Sequence, residues 1–294
     1  MTRLRGTILT AAVPLLLISA CAQTGTSAAG APASRASSSA PASPDALVLR
    51  VESFGGFVPA SLNVGRFPQV SVYADGRMIT EGPVPAIYPG PALPNLQQQL
   101  LSPAQLQELI AGAPAAGVRS GTDFGSPNVA DAPSTRVTVV SAGYGRQAVT
   151  VEALSEAQAN DPSLTPAQRN ARTKLAAYVK KVQDLPAAQG MSPSVAYQPT
   201  MLAAIAHTYV APQGQGPASP EKAWPGPALP GEQLGQSNGF GCVEVTGDAL
   251  TKVTAAAKTA NATTPWTENG KKWGITFRPM LPDEKGCAAL KGDR

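Results

Sequence analysis

Three short patterns in this 294-residue chain carry residue types that catalysis uses. Gly235-Gln236-Ser237-Asn238-Gly239 fits the G-x-S-x-G frame of serine hydrolases. That frame works as a strained strand-to-helix turn lifting the hydroxyl toward an acid and a histidine later in the chain. Here it lies in a polar loop leading into a strand, and the one histidine, His207, comes before it. Ser237 is therefore expected to be a loop residue. Ser219-Pro220-Glu221-Lys222 fits S-x-x-K, but the companion motifs S-D-N and K-T-G do not occur in the chain. Gly143-Tyr144-Gly145, with Ala148, opens like a dinucleotide-binding turn, yet it joins two expected strands and leads into no helix that would hold a phosphate. His207 alternates with Ile205 and Tyr209 on one face of an expected strand, Met201–Val210, and is read as a packed structural residue. Asp123 and Asp131 flank a Gly/Pro-rich loop at a spacing that fits no calcium-loop pattern. Asn261-Ala262-Thr263 is a sequon of the eukaryotic type and carries little weight. No cofactor, no metal and no catalytic residue is expected.

The N-terminus is more specific. Arg3 and Arg5 precede an apolar run from Thr7 to Ile18, too short to span a bilayer as a helix and shaped like an export signal. Ile18-Ser19-Ala20-Cys21 resembles the lipobox of bacterial lipoproteins: an aliphatic residue, two small ones, then the lipidated cysteine. The resemblance covers the first 21 residues. It implies a signal peptide over 1–20, cleavage before Cys21, a diacylglyceryl thioether on its sulfur and acylation of the new amino terminus. Several acyl chains are what stable membrane attachment requires, so the resemblance also implies a membrane partner through Cys21 and a place on the outer face of the cell membrane. Residues 22–44 are almost wholly Ala, Ser, Pro, Gly and Thr, a composition that cannot offset its own ordering entropy. Residues 21–45 are thus expected to be a tether with a root-mean-square reach of roughly 25–30 Å.

Assigning Cys21 to lipid leaves Cys242 and Cys287, an exported pair expected to form a disulfide. The formal charge of +4 is concentrated in the leader: Arg3, Arg5 and Arg35 face no acid before residue 45. Without them the charges nearly balance, which excludes the basic footprint of a nucleic-acid-binding protein.

The elements that must hold any site follow from turn and cap signals. Residues 62–81 are expected to form a hairpin tipped by Ala74-Asp75-Gly76-Arg77. Ser102-Pro103-Ala104-Gln105 and Thr165-Pro166-Ala167-Gln168 are capping boxes with proline in the first turn. The apolar stripes Leu106, Leu109, Ile110, Ala113 and Leu175, Tyr178, Val179, Val182 continue them as helices. A second hairpin is expected over Arg136–Ser141 and Gln147–Ala153, a strand over Cys242–Thr246, a helix capped by Asp248, and a strand through Trp273, Ile275 and Phe277 after an Asn269-Gly270 turn.

Tyr88-Pro89-Gly90-Pro91-Ala92-Leu93-Pro94 returns almost unchanged as Trp224-Pro225-Gly226-Pro227-Ala228-Leu229-Pro230. Both copies sit in the order strand, loop, strand, helix, strand. The expected fold is α+β: two related antiparallel-rich α/β units, 46–187 and 188–294, packed in one body. The repeated loop aromatics Tyr88 and Trp224 form the candidate recognition surface, since aromatics on rigid loops gain contact area at little entropic cost. The tether and the Arg278-Pro279-Met280-Leu281-Pro282 ending are similar to uncharacterised lipoproteins of high-GC Gram-positive bacteria, a likeness that implies no activity. The expected role is a non-catalytic binding or accessory module for an envelope protein or polymer. The alternative is an extracytoplasmic hydrolase using carboxylates on cell-wall sugars. The sequence leaves the oligomeric state open.

Overall fold

The computed structural model describes residues 43–58, 60–212, 218–235 and 239–291. Cys21, the tether up to residue 42 and Ser237 lie outside these residues. The described part is an α+β fold with two antiparallel-rich sheets, of seven and six strands, and four α-helices among the described residues.

The first sheet is built on β1 (Leu47–Gly55), whose odd positions Leu49 and Val51 are buried to completion. A short helix, α1 (Ala60–Gly65), occupies the start of the segment expected to be hairpin. The hairpin itself is β2 (Val70–Tyr73) and β3 (Arg77–Glu81), turned at Asp75-Gly76, and β4 (Leu96–Leu100) pairs with β3. Next come α2 (Pro103–Gly112), β5 (Pro133–Ser141), β6 (Gly145–Glu152) and α3 (Pro166–Asp184). β7 (Val195–Ala196) closes the sheet, whose order is β6-β5-β1-β2-β3-β4-β7.

Both capping boxes form. Gln105 N donates to Ser102 Oγ at 3.3 Å while Ser102 N donates to Gln105 Oε1 at 2.8 Å, and Thr165 with Gln168 repeats the exchange at 3.2 and 2.8 Å. Each side chain satisfies an amide that the first helical turn leaves orphaned. The two helices then lay their apolar stripes on one face of the sheet, against Leu49, Val51, Val137 and Val139.

The second sheet contains β8 (Leu202–Thr208), β9 (Lys222–Ala223), β10 (Glu232–Gln233), β11 (Gly241–Val245), β12 (Trp266–Glu268) and β13 (Lys271–Pro279), in the order β10-β11-β8-β13-β12-β9. Its pairs are antiparallel except β9 with β12. Helix α4 (Gly247–Lys258) covers one face; Thr246, not Asp248, is its N-cap, and Asp248 lies in the first turn, where an acid complements the helix dipole. The Asn269-Gly270 turn has both residues at positive φ, 49° and 74°, as a two-residue hairpin loop demands.

The division at residue 187 does not follow the sheets. β7 lies beyond it in sequence yet adds to the edge of the first sheet, and residues 280–284, after the last strand of the second sheet, pack onto the first. The described residues all belong to one compact unit.

On the face of the second sheet away from α4, Cys242 of β11 is bonded to Cys287, with Cα atoms 5.9 Å apart across a sequence separation of 45. Closing a loop of that length is worth about 4 kcal/mol in the chain-entropy treatment. Replacing both cysteines by serine is expected to lower the unfolding free energy by about 3–4 kcal/mol in urea titrations; an unchanged midpoint would mean that the second sheet holds this chain end without the bridge.

Candidate functional site

Two of the three patterns that resembled catalytic motifs, those at Ser219 and Gly143, are spent on loop structure; Ser237 lies outside the described residues. Ser219 Oγ bonds to Asn261 Oδ1 at 2.9 Å and Thr263 Oγ1 at 2.8 Å, while Lys222 Nζ donates to Thr259 Oγ1 at 2.9 Å. Serine and lysine thus serve separate partners. Asn261 Oδ1 accepts from the Thr263 amide as well, so the sequon side chain is the hub of its own turn. Asp123 accepts from Gly125 N and Gln168 Nε2, both at 2.9 Å, and these bonds hold its carboxyl below the usual range. Gly143-Tyr144-Gly145 is the β5–β6 turn, and Tyr144 reaches the carbonyl of Ile110. Among the described residues no group of three or more His, Cys, Asp or Glu could hold a metal ion.

His207, on β8, lies against Gly274, where an added Cβ would come within 2.5 Å of Nε2, and edge-on to Phe240 at 5.5 Å. The ring is packed, as expected, and among the described residues its buried Nδ1 has no hydrogen-bond partner. Desolvation lowers its pKa from the ordinary 6.5.

The repeated loops sit in different environments. Trp224 is buried to 8% exposure, with Nε1 donating to Pro227 O at 2.6 Å and the ring packed on Trp266 and Phe277. Pairing of β9 with β12 directs this loop onto the α4 side of the second sheet, so Trp224 is core and not surface. Tyr88 is 84% exposed.

The Tyr88 loop joins β3 to β4 and is fixed at both ends. At its root Gly82 N donates to Asn95 O and Asn95 Nδ2 to Pro83 O, each at 2.7 Å. Its second half crosses to the end of α4, where Ala262 N donates to Gly90 O at 2.8 Å and Ala92 and Leu93 pack on the second core. Between these anchors Val84 and Ile87 are 64% and 63% exposed. Prolines at 83, 85, 89, 91 and 94 fix φ along the loop, so little conformational entropy remains to be lost on contact. Phe57, 89% exposed, lies just past β1 at the same end of the first sheet. The chain enters the fold at the opposite end, where Asp45 pairs with Arg77 at the start of β3. One five-residue strand, about 15 Å, separates the two ends. Of these residues only Tyr88 was singled out from the sequence; the alternation of proline with exposed apolar residues over 83–89 was the available signal for Val84 and Ile87.

Behind the loop the sheets are joined by a buried charged cluster. Arg278 of β13 makes a two-pronged bond to Glu284, 2.8 and 3.0 Å, with side chains 0% and 3% exposed, and lies 4.0 Å over the Phe67 ring. Next to it Asp283 accepts from Arg50 Nη2 of β1 at 2.7 Å and from the Tyr73 hydroxyl of β2 at 2.9 Å. Burial, the largest single influence, works to lower the Arg50 pKa, but Asp283, Tyr73 and Glu284 together outweigh it and the net shift is upward. The carboxylates lining neighbouring pockets are likewise engaged one by one: Asp45 with Arg77 in a pocket of about 330 Å³, and Glu52 with Arg136 beside Asn63. Among the described residues no helix is long and apolar enough to cross a membrane.

No family model matches the chain, and comparison with curated proteins and with solved structures finds none similar to it.

Two outcomes are expected. Glu284→Gln removes the carboxylate that neutralises the buried Arg278 and should cost about 3–5 kcal/mol of stability in urea; a loss under about 1 kcal/mol would show that the pair does not join the sheets. His207 takes its proton near pH 6.5 when unfolded and only at lower pH when folded. Between those values the unfolded state binds more protons, so stability falls as pH drops through 6.5 and levels off below the folded value. The melting temperature should therefore fall as the pH is lowered through 6.5 in the wild type, and fall less in His207→Phe.

Proposed function

We propose that the chain is a lipoprotein anchored through Cys21 on the outer face of the bacterial cell membrane, acting as a non-catalytic module that binds an envelope protein or polymer. The observation that carries the recognition role is the loop 83–91. It sets Val84, Ile87 and Tyr88 in water, stiffened by proline and pinned to both sheets, at the end of the first sheet opposite the point where the tether joins. Large apolar side chains held in a fixed arrangement supply contact energy without an ordering cost, which is how binding hot spots work. The lipobox supports the anchor, and the Ala/Ser/Pro tether gives the folded part reach. Because Asp45 and Glu52, in separate pockets, are each held by an arginine, the arrangement favours binding over the two-carboxylate chemistry of a glycoside hydrolase.

The test is in-cell cross-linking of the full chain followed by membrane fractionation. Ile87→Ser with Tyr88→Ala should lose the cross-linked species seen with the wild type while staying in the membrane fraction. Cys21→Ser should leave that fraction. Unchanged cross-links in the loop variant would remove the recognition role, and membrane retention of Cys21→Ser in high salt would remove the anchor.

A further inference from the structure

Strand β6 is the long open edge of the fold. The other sheet edges, β7, β9 and β10, are two residues each, whereas β6 runs eight residues and pairs with β5 in a register free of bulges. It contains no proline and no lysine, the residues that commonly block an edge. The direction of its main-chain groups can be worked out. Ala153 N donates to Pro133 O at 2.9 Å, extending the ladder by one pair. Hydrogen-bonded pairs alternate in an antiparallel ladder, so the odd residues of β6 point their amides and carbonyls at β5. Those of Arg146, Ala148, Thr150 and Glu152 point away from the sheet. Of these eight groups one has a partner among the described residues, Glu152 O, which accepts from Arg172 Nη2 at 2.7 Å.

Side chains on the same residues carry a second pattern. Arg146, Ala148, Thr150 and Glu152 are all exposed on one face, while Val149 and Val151 face the core. Arg146 and Glu152 stand three residues either side of Val149; among the described residues neither is in a salt bridge, and Glu152 acts on Arg172 only through the longer-range field. Two copies of β6 placed antiparallel about a two-fold axis through Val149 set Arg146 of one opposite Glu152 of the other, twice. The same register sets Ala148 opposite Thr150, and these are the residues with outward amides and carbonyls. Exposed faces meet exposed faces, and core faces meet core faces. Shifting the axis by one residue either way loses both charge pairs.

We infer that β6 is a self-association edge and that its occupant is β6 of a second copy of this chain, joining two seven-stranded sheets into one continuous sheet. Ala148 and Thr150 exchange main-chain hydrogen bonds across the axis, and the two Arg146–Glu152 pairs fix the register, since opposite charges facing across strands attract and like charges repel. The association is isologous, with each copy offering the same surface. It leaves the Val84–Tyr88 loop uncovered, because that loop lies between β3 and β4, four strands from the edge.

The experiment is sedimentation equilibrium of the full chain in a mild non-ionic detergent, with amide exchange read at Ala148 and Thr150. The wild type should dimerise, and exchange at both amides should slow as concentration rises. Arg146→Glu places like charges opposite each other twice and should weaken the dimer at least about tenfold. The double variant Arg146→Glu with Glu152→Arg restores both pairs with their signs exchanged and should return the wild-type constant. A wild type that stays monomeric at its highest soluble concentration overturns the inference. So does a dimer that ignores Arg146→Glu, or one whose Ala148 and Thr150 amides exchange at the monomer rate.

Discussion

The pair of Arg278 and Glu284, sealed between the two sheets, is the interaction on which the rest of the arrangement depends. Two charges withdrawn from water are held only if each satisfies the other, and the two-pronged bond together with the Phe67 ring achieves this. Such a pair adds little stability over apolar residues of the same shape, but it tolerates few alternative arrangements. Here it fixes the turn after β13, so that Leu281 enters the apolar patch of Phe67, Tyr73, Ile79 and Leu96 on the first sheet. Asp283, one residue earlier in the turn, is thereby delivered to Arg50 and Tyr73. The last strand of one sheet is in this way locked to β1 and β2 of the other.

That lock gives the exposed loop its rigidity. Its root belongs to the first sheet and its far half rests on the end of α4 above the second, so its tip keeps a fixed shape only while the sheets keep a fixed relation. Proline along the loop would by itself restrict φ without settling where the tip points. With both anchors in place, Val84, Ile87 and Tyr88 are offered to solvent as a preformed surface, and the first described residues, near Asp45, lie at the other end of the first sheet. On the function proposed above, the tether would supply reach and the loop contact.

Much of this was legible where the signal is local. Ser102 and Thr165 announce their helices because a cap works through residues three positions away, and Asn269-Gly270 announces its hairpin for the same reason. The pairing of Cys242 with Cys287 was legible by elimination. What failed was long-range. Tyr88 and Trp224 occupy nearly identical heptapeptides, yet one is surface and the other core, because β9 happens to pair with β12 and presses Trp224 onto Trp266. No property of the heptapeptide encodes that neighbour. β1 escaped notice although Leu47, Leu49 and Val51 alternate, and with it the strand that joins the two hairpins of the first sheet was missed. The charged cluster draws on residues more than two hundred positions apart, Arg50 and Asp283, which only the folded chain brings together.

The recognition role of the loop is tested most directly by hydroxyl-radical footprinting of the protein in its own envelope against the purified chain. Tyr88 at the loop and Tyr144 at the opposite end of the sheet are both reachable by solvent, 84% and 37% exposed, so each serves as the other's control. The expected result is that labelling of Val84, Ile87 and Tyr88 drops in the envelope while Tyr144 is labelled as in the purified protein. Equal labelling of the loop in both states would contradict a partner there.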